Sequence, residues 1–139
     1  MAKIHVMARC GMMFLALLLI ACEGYTQVGS STSSYQDANG GRIETTIQKA
    51  NGTITEDIEV DSTGSLVLET DVTLSVGEGT YKIELLGEDG EVTLVLEARG
   101  GQAISGHGQM VTDAFGEASY RVTATEAEDV QYTLDYTFR

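Results

Sequence analysis

VQYTLDYTFR, residues 130–139, alternates without a break: Val130, Tyr132, Leu134, Tyr136 and Phe138 fall on one side, Gln131, Thr133, Asp135 and Thr137 on the other. A period of two marks a strand with one buried face, so the domain around this run is a sheet. The same pattern extends backwards along the chain. EASYRVTAT, after a turn at Asp113–Gly116, puts Tyr120, Val122 and Ala124 on one face. The stretch before it, GGQAISGHGQMVT, is glycine-rich and reads as a loop with a short strand around Gln109 to Thr112. EVTLVLEAR directs Val92, Leu94 and Leu96 inward, and TYKIELLG does the same for Tyr81, Ile83 and Leu85.

The longest run, Leu66 to Val76, carries Leu66, Leu68, Val72, Leu74 and Val76 in one register and Glu69, Asp71, Thr73 and Ser75 in the other. Thr70 shares the apolar register, which marks a bulge or a change of sheet there. Turns are expected at Gly77–Gly79 and at Glu88–Gly90. Further back, Ile43, Thr45 and Ile47 face inward from RIETTIQKA, and Ile54, Ile58 and Val60 from TITEDIEV. Asn51-Gly52 between those runs has the chemistry of a two-residue hairpin turn. The expectation is an all-β domain over residues 42–139, an antiparallel β-sandwich of seven or eight strands. It would be immunoglobulin-like or jelly-roll-like.

EAEDVQYTL resembles the tyrosine corner of immunoglobulin-like sandwiches, in which an acidic turn precedes a Tyr at the start of a late strand; GEGTYKIEL fits the same pattern. An outer-membrane barrel alternates in the same way. Short loops, short strands and an aromatic content of 6% count against it.

Upstream, EGYTQVGSSTSSYQDANGG (residues 23–41) has no hydrophobic period and reads as a flexible tether with a reach of about 25 Å. Before it, Lys3, His5 and Arg9 precede an apolar run from Gly11 to Ala21, too short to span a bilayer. Leu19, Ile20, Ala21 and Cys22 resemble the lipobox of bacterial lipoprotein precursors. The resemblance implies a signal peptide over residues 1–21, cleavage before Cys22 and acylation of Cys22, including its thiol, with palmitate or a similar chain. Residues 22–41 would then form the acylated tether. It also places the chain in a bacterial cell envelope, at the outer membrane if the cell is Gram-negative, because Glu23 rather than Asp follows the cysteine. Ordinary secretory cleavage after Gly24 is the alternative, and acyl labelling lost in Cys22→Ala separates the two.

Both cysteines, Cys10 and Cys22, belong to this leader or its junction, so the domain has no disulfide or thiolate metal site. Of eight basic residues two lie before Cys22, whereas all twenty-one acidic ones lie after it. So acidic a domain is repelled by nucleic acid and by anionic lipid. Its only histidine, His107, lies in Ser105-Gly106-His107, which is no hydrolase motif. No enzyme and no obligatory cofactor is expected. The expected partners are the membrane, through the anchor, and an envelope protein.

Calcium is the one metal that the composition favours. Asp57, Glu59 and Asp61, then Glu88 and Asp89, then Glu126, Glu128 and Asp129 are the candidate oxygen donors. The reading is a membrane-anchored, non-enzymatic binding or structural module, with a calcium-dependent adhesion or glycan-binding module as the alternative. Tyr81, Tyr120, Tyr132 and Tyr136 are expected in the core, which leaves Phe115 as the aromatic free to stack on a ligand.

Overall fold

A computed structural model describes residues 24–61 and 64–139. The leader and the lipobox residues Leu19, Ile20, Ala21 and Cys22 lie outside the described residues. The chain forms six antiparallel strands: β1 (Thr26–Gln36), β2 (Gly40–Glu59), β3 (Val67–Leu86), β4 (Val92–Arg99), β5 (Gln102–Val111) and β6 (Glu117–Phe138). Their order is β1-β2-β6-β3-β4, with β5 also paired to β3. The all-β antiparallel expectation holds, and no helix occurs among the described residues.

Three strands are about twice the expected length because the chain bends where hairpins were expected. Residues 40–50 of β2 pair with β1 and with the second half of β6, whereas residues 52–59 pair with the first half of β6. β3 divides in the same way, its first half beside β5 and its second beside β4. The result is a five-stranded half-sheet (β1, β2, β6, β3, β5) joined to a four-stranded one (β2, β6, β3, β4). The two halves fold face to face. Tyr120 and Tyr132 are twelve residues apart on β6, and their hydroxyls lie 3.2 Å apart. A straight strand would separate them by about 40 Å. Tyr81 of β3 stacks on Tyr132 with ring centroids 5.9 Å apart. Such corners, where one strand passes between two layers, make a sandwich whose layers share β2, β6 and β3.

The corner is built from bulges. Inward residues are odd-numbered from Ile43 to Ile47 and even-numbered from Ala50 to Ile58; they are even from Leu68 to Val76 and odd from Tyr81 to Leu85. The change in β3 spans a register shift against β6 at Glu78/Thr80, whereas the change in β2 falls between Ile47 and Ala50, just before the shift at Ala50/Gly52. The extra residue belongs to β6, where Thr125 and Glu126 face the single residue Asn51. Asn51 is therefore not the tip of a hairpin. Its Oδ1 accepts from the Glu126 amide at 3.1 Å and satisfies a donor that the bulge leaves outside the ladder. Gly52 (φ +104°) packs so closely on Gly24 and Tyr25 that a β-carbon there would lie 2.1 Å from the Gly24 carbonyl oxygen.

Five further expectations change. Gly77–Gly79 runs through β3 opposite a bulge of β6 rather than forming a turn, and the glycine-rich stretch after Gly101 is a full strand, β5. Gly106 and Gly108 leave room for Leu94 and Leu96 of β4 to pack against it. Thr70 is fully buried with no register shift beside it, because its hydroxyl donates to the Leu68 carbonyl at 3.0 Å. The Tyr132 hydroxyl meets Tyr120 inside the core, which is not a tyrosine-corner contact. Finally, residues 26–36 of the expected tether are β1, entered through a buried Tyr25.

Every residue from 28 to 36 is exposed, so this part of β1 is held by its ladder to β2 and not by burial. Fixing a residue costs about 1–2 kcal/mol and a ladder hydrogen bond returns about 0.5–1.5 kcal/mol, which leaves the strand near balance.

Candidate binding face

The outward face of the five-stranded half carries the main polar constellation. Cross-strand register sets Tyr35, Arg42, Asp135, Asp71 and His107 in one row across all five strands. Asp135 and Asp71 stand directly opposite each other, a repulsive pairing. Each has a cationic partner on its far side. Arg42 Nη1 lies 3.2 Å from Asp135 Oδ1, and His107 Nδ1 lies 2.8 Å from Asp71 Oδ1.

The other ring nitrogen, His107 Nε2, is 2.9 Å from Glu69 Oε2, and Glu69 also accepts from Gln109 Nε2 at 2.7 Å and pairs with Arg139 Nη1 at 3.1 Å. Carboxylates only accept, and a neutral imidazole has one N–H, so only the imidazolium can donate to both. Asp71 first and then Glu69 accordingly raise the His107 pKa above its ordinary value, and the bond to His107 lowers that of Glu69.

His107 thus lies in a strand and meets carboxylates, which the glycine-loop reading did not anticipate. Its side chain is 58% exposed on an open sheet face rather than in a cleft. Both ring nitrogens are engaged by carboxylates, so neither is directed at Ser105. Beside this cluster runs a row of small hydroxyl residues, Ser33, Thr133, Thr73 and Ser105, with Glu44 among them. Thr73, Ser75, Ser105, Gln131 and Thr133 line a shallow depression of about 380 Å³. Tyr81, Tyr120, Tyr132 and Tyr136 are buried as expected, Phe115 is 86% exposed, and Tyr35, expected in the tether, joins this face at 62% exposure.

No protein-family model and no curated protein matches the sequence. Among solved structures the chain is similar to the CBM22-1 xylan-binding domain of Xyn10C from Paenibacillus barcinonensis, with 15% identity over 83% of this chain and 84% of that one and a TM-score of 0.38. It is also similar to the carbohydrate-binding module CBM6cm-2 of Cellvibrio mixtus lichenase 5A, with 15% identity over 81% and 87% of the two chains and a TM-score of 0.31. A third is the enzymatically active domain of tailspike protein 4 of bacteriophage CBA120, with 10% identity, 83% of this chain, 19% of that one and a TM-score of 0.38. Similarity at this level concerns the all-β fold and carries no inference about ligand.

The acidic residues expected to hold calcium fall in three separate places. Asp57 and Glu59 lie in the last residues of β2 and Asp61 just beyond it, and Asp57 accepts from Ser119 Oγ at 2.6 Å. Glu88 and Asp89 sit in the β3–β4 turn, with Glu88 accepting from Ser65 at 3.0 Å. Glu126, Glu128 and Asp129 lie at the bend of β6, where Glu128 pairs with Lys49 at 2.9 Å. Among the described residues no three His, Cys, Asp or Glu side chains converge as a metal-binding set.

The bend holds a second, larger groove of about 660 Å³, bordered by Val28, Lys49, Glu78, Thr80, Thr125 and Glu128. Glu126 (φ +44°) and Asp129 (φ +52°) adopt left-handed backbone beside it, a conformation that costs L residues about 1–2 kcal/mol. On the outward face of the four-stranded half, Glu84 is 7% exposed and bound by Arg121 through two nitrogens, the shorter contact 2.6 Å, with Lys82 Nζ at 3.1 Å. Glu56 occupies an inward position between Ile54 and Ile58, and burial first, then Asp57, raises its pKa.

Proposed function

We propose that this chain is a lipid-anchored protein of the bacterial cell envelope whose sandwich acts as a non-enzymatic binding module. The observation that supports binding is the outward face of the five-stranded half. It is broad, hydroxyl-rich and edged by charges already paired with one another, and it holds no nucleophile with a free base. Such a face offers many weak polar contacts to an extended partner. The partner is an envelope protein.

The anchor is acylated Cys22. Because Tyr25 is buried in the core, only two residues, Glu23 and Gly24, separate Cys22 from the folded domain. From Cys22 to Tyr25 the reach is about 10 Å. The domain is therefore held close to the lipid with its bend on the near side, since Tyr25 packs at Gly52. In the native host, a photo-crosslinking residue at Thr73, on the proposed face, should trap a discrete envelope protein, while one at Thr53, on the outward face of the other half, should not. Equal trapping from both positions, or from neither, refutes the face. Acyl incorporation that persists in Cys22→Ala refutes the anchor.

A glycan is the second reading, favoured by Tyr35, an exposed ring in the same row as Arg42. A Tyr35→Ala variant that loses binding on a glycan array would establish it.

A further inference from the structure

One edge of the sheet differs from the others. β1, TQVGSSTSSYQ, contains no charged residue and no proline in a chain with twenty-one acidic residues. The free edge of the four-stranded half, residues 52–59 of β2, carries Glu56, Asp57 and Glu59, and β4 carries Glu97 and Arg99. The outer side of β5 is crossed by Thr93, whose hydroxyl donates to the Gln109 carbonyl. Charges, proline and covering groups are how sheet edges are kept from pairing. β1 has none of them, and residues 28–36 are exposed throughout, so nothing among the described residues stands in the way of a further strand.

We propose that the outer edge of β1 pairs with the same edge of a second copy, antiparallel about a two-fold axis. Residues 30–36, beyond the left-handed Gly29 (φ +63°), form the contact. In such an isologous pair each residue meets residues of the same strand, and a strand bearing acidic side chains would place like charges opposite each other. The remaining surface of this acidic chain repels a second copy, which leaves the neutral strand as the place where two copies approach. Pairing also gives β1 the second ladder that its lack of burial calls for. It joins two five-stranded faces into one, with the Tyr35–Arg42 ends of both rows at the seam. A repetitive partner would then be held at two points. The inference does not depend on the anchor.

Sedimentation of the detergent-solubilised full chain tests it. The parent should sediment at twice the protein mass of one chain. The double variants Ser31→Glu with Ser33→Glu, and Ser31→Lys with Ser33→Lys, should each fall to the mass of one chain with an unchanged circular dichroism spectrum, and mixing the two should restore the dimer. A parent that stays monomeric at every concentration overturns the proposal and leaves the edge to a strand of another protein. A dimer that survives both double variants overturns it as well, because the contact then lies elsewhere. Failure of the mixture to reassociate overturns the pairing.

Discussion

His107 is a single residue whose state sets the strength of a cross-strand clasp. Asp71 and Glu69 on β3 face its two nitrogens, Gln109 and Arg139 share Glu69, and Asp135 stands behind Asp71. Its folded pKa is raised, so the stability it contributes is present in full below the unfolded value and is lost as pH rises through the folded one. The melting temperature of His107→Ala should fall below that of the parent at about pH 5 and coincide with it at about pH 9. Glu84 behaves in the opposite sense: Arg121 lowers its pKa, so its contribution is present above the unfolded value and fades as pH falls through the folded one. Arg121→Ala leaves a carboxylate of 9% side-chain exposure with Lys82 alone. Urea unfolding near neutral pH should register a loss of about 1–3 kcal/mol, which shrinks in acid.

Among the elements, the bent strands explain both what could be read in the sequence and what could not. The inward residues were legible because alternation reports which face is buried, and Ile43, Tyr81 and Leu134 lie where that pattern places them. Strand length was not. The phase of alternation reverses between Ile47 and Ile54 as it would across a hairpin, and Asn51-Gly52 suits a hairpin or a continuing strand, since its glycine supplies positive φ in either. The choice is made by β6, whose extra residue lies about seventy positions away in sequence. The His107 constellation was hidden for the same reason: Glu69 and Asp71 are visible as outward residues, but only the β3–β5 register brings them to His107. Gly79 gives the bend a direct test. With φ at +74° and the Glu126 carbonyl oxygen 2.1 Å from where a β-carbon would sit, Gly79→Ala should cost about 2 kcal/mol or more in chemical denaturation, whereas a glycine in an open turn would tolerate the change.

At the scale of the whole molecule, the largest departure from the sequence reading is β1. A run of Ser, Thr and Gly with no hydrophobic period looks like linker because it buries nothing, and that part of the reading is correct. What composition could not reveal is that an existing sheet edge supplies ten paired positions along β2, and that Tyr25 secures the start of the strand in the core. The proposed short leash, the five-strand width of the candidate binding face and the proposed self-pairing edge all depend on this one strand. Hydrogen exchange of the backbone amides of residues 26–36 in the full chain tests it most directly. The amides directed at β2 should exchange below the unstructured rate, though faster than those of residues 41–51 directed at β6. Exchange throughout the segment at the rate of a free peptide, while β2 stays protected, would contradict the account and return those residues to a tether.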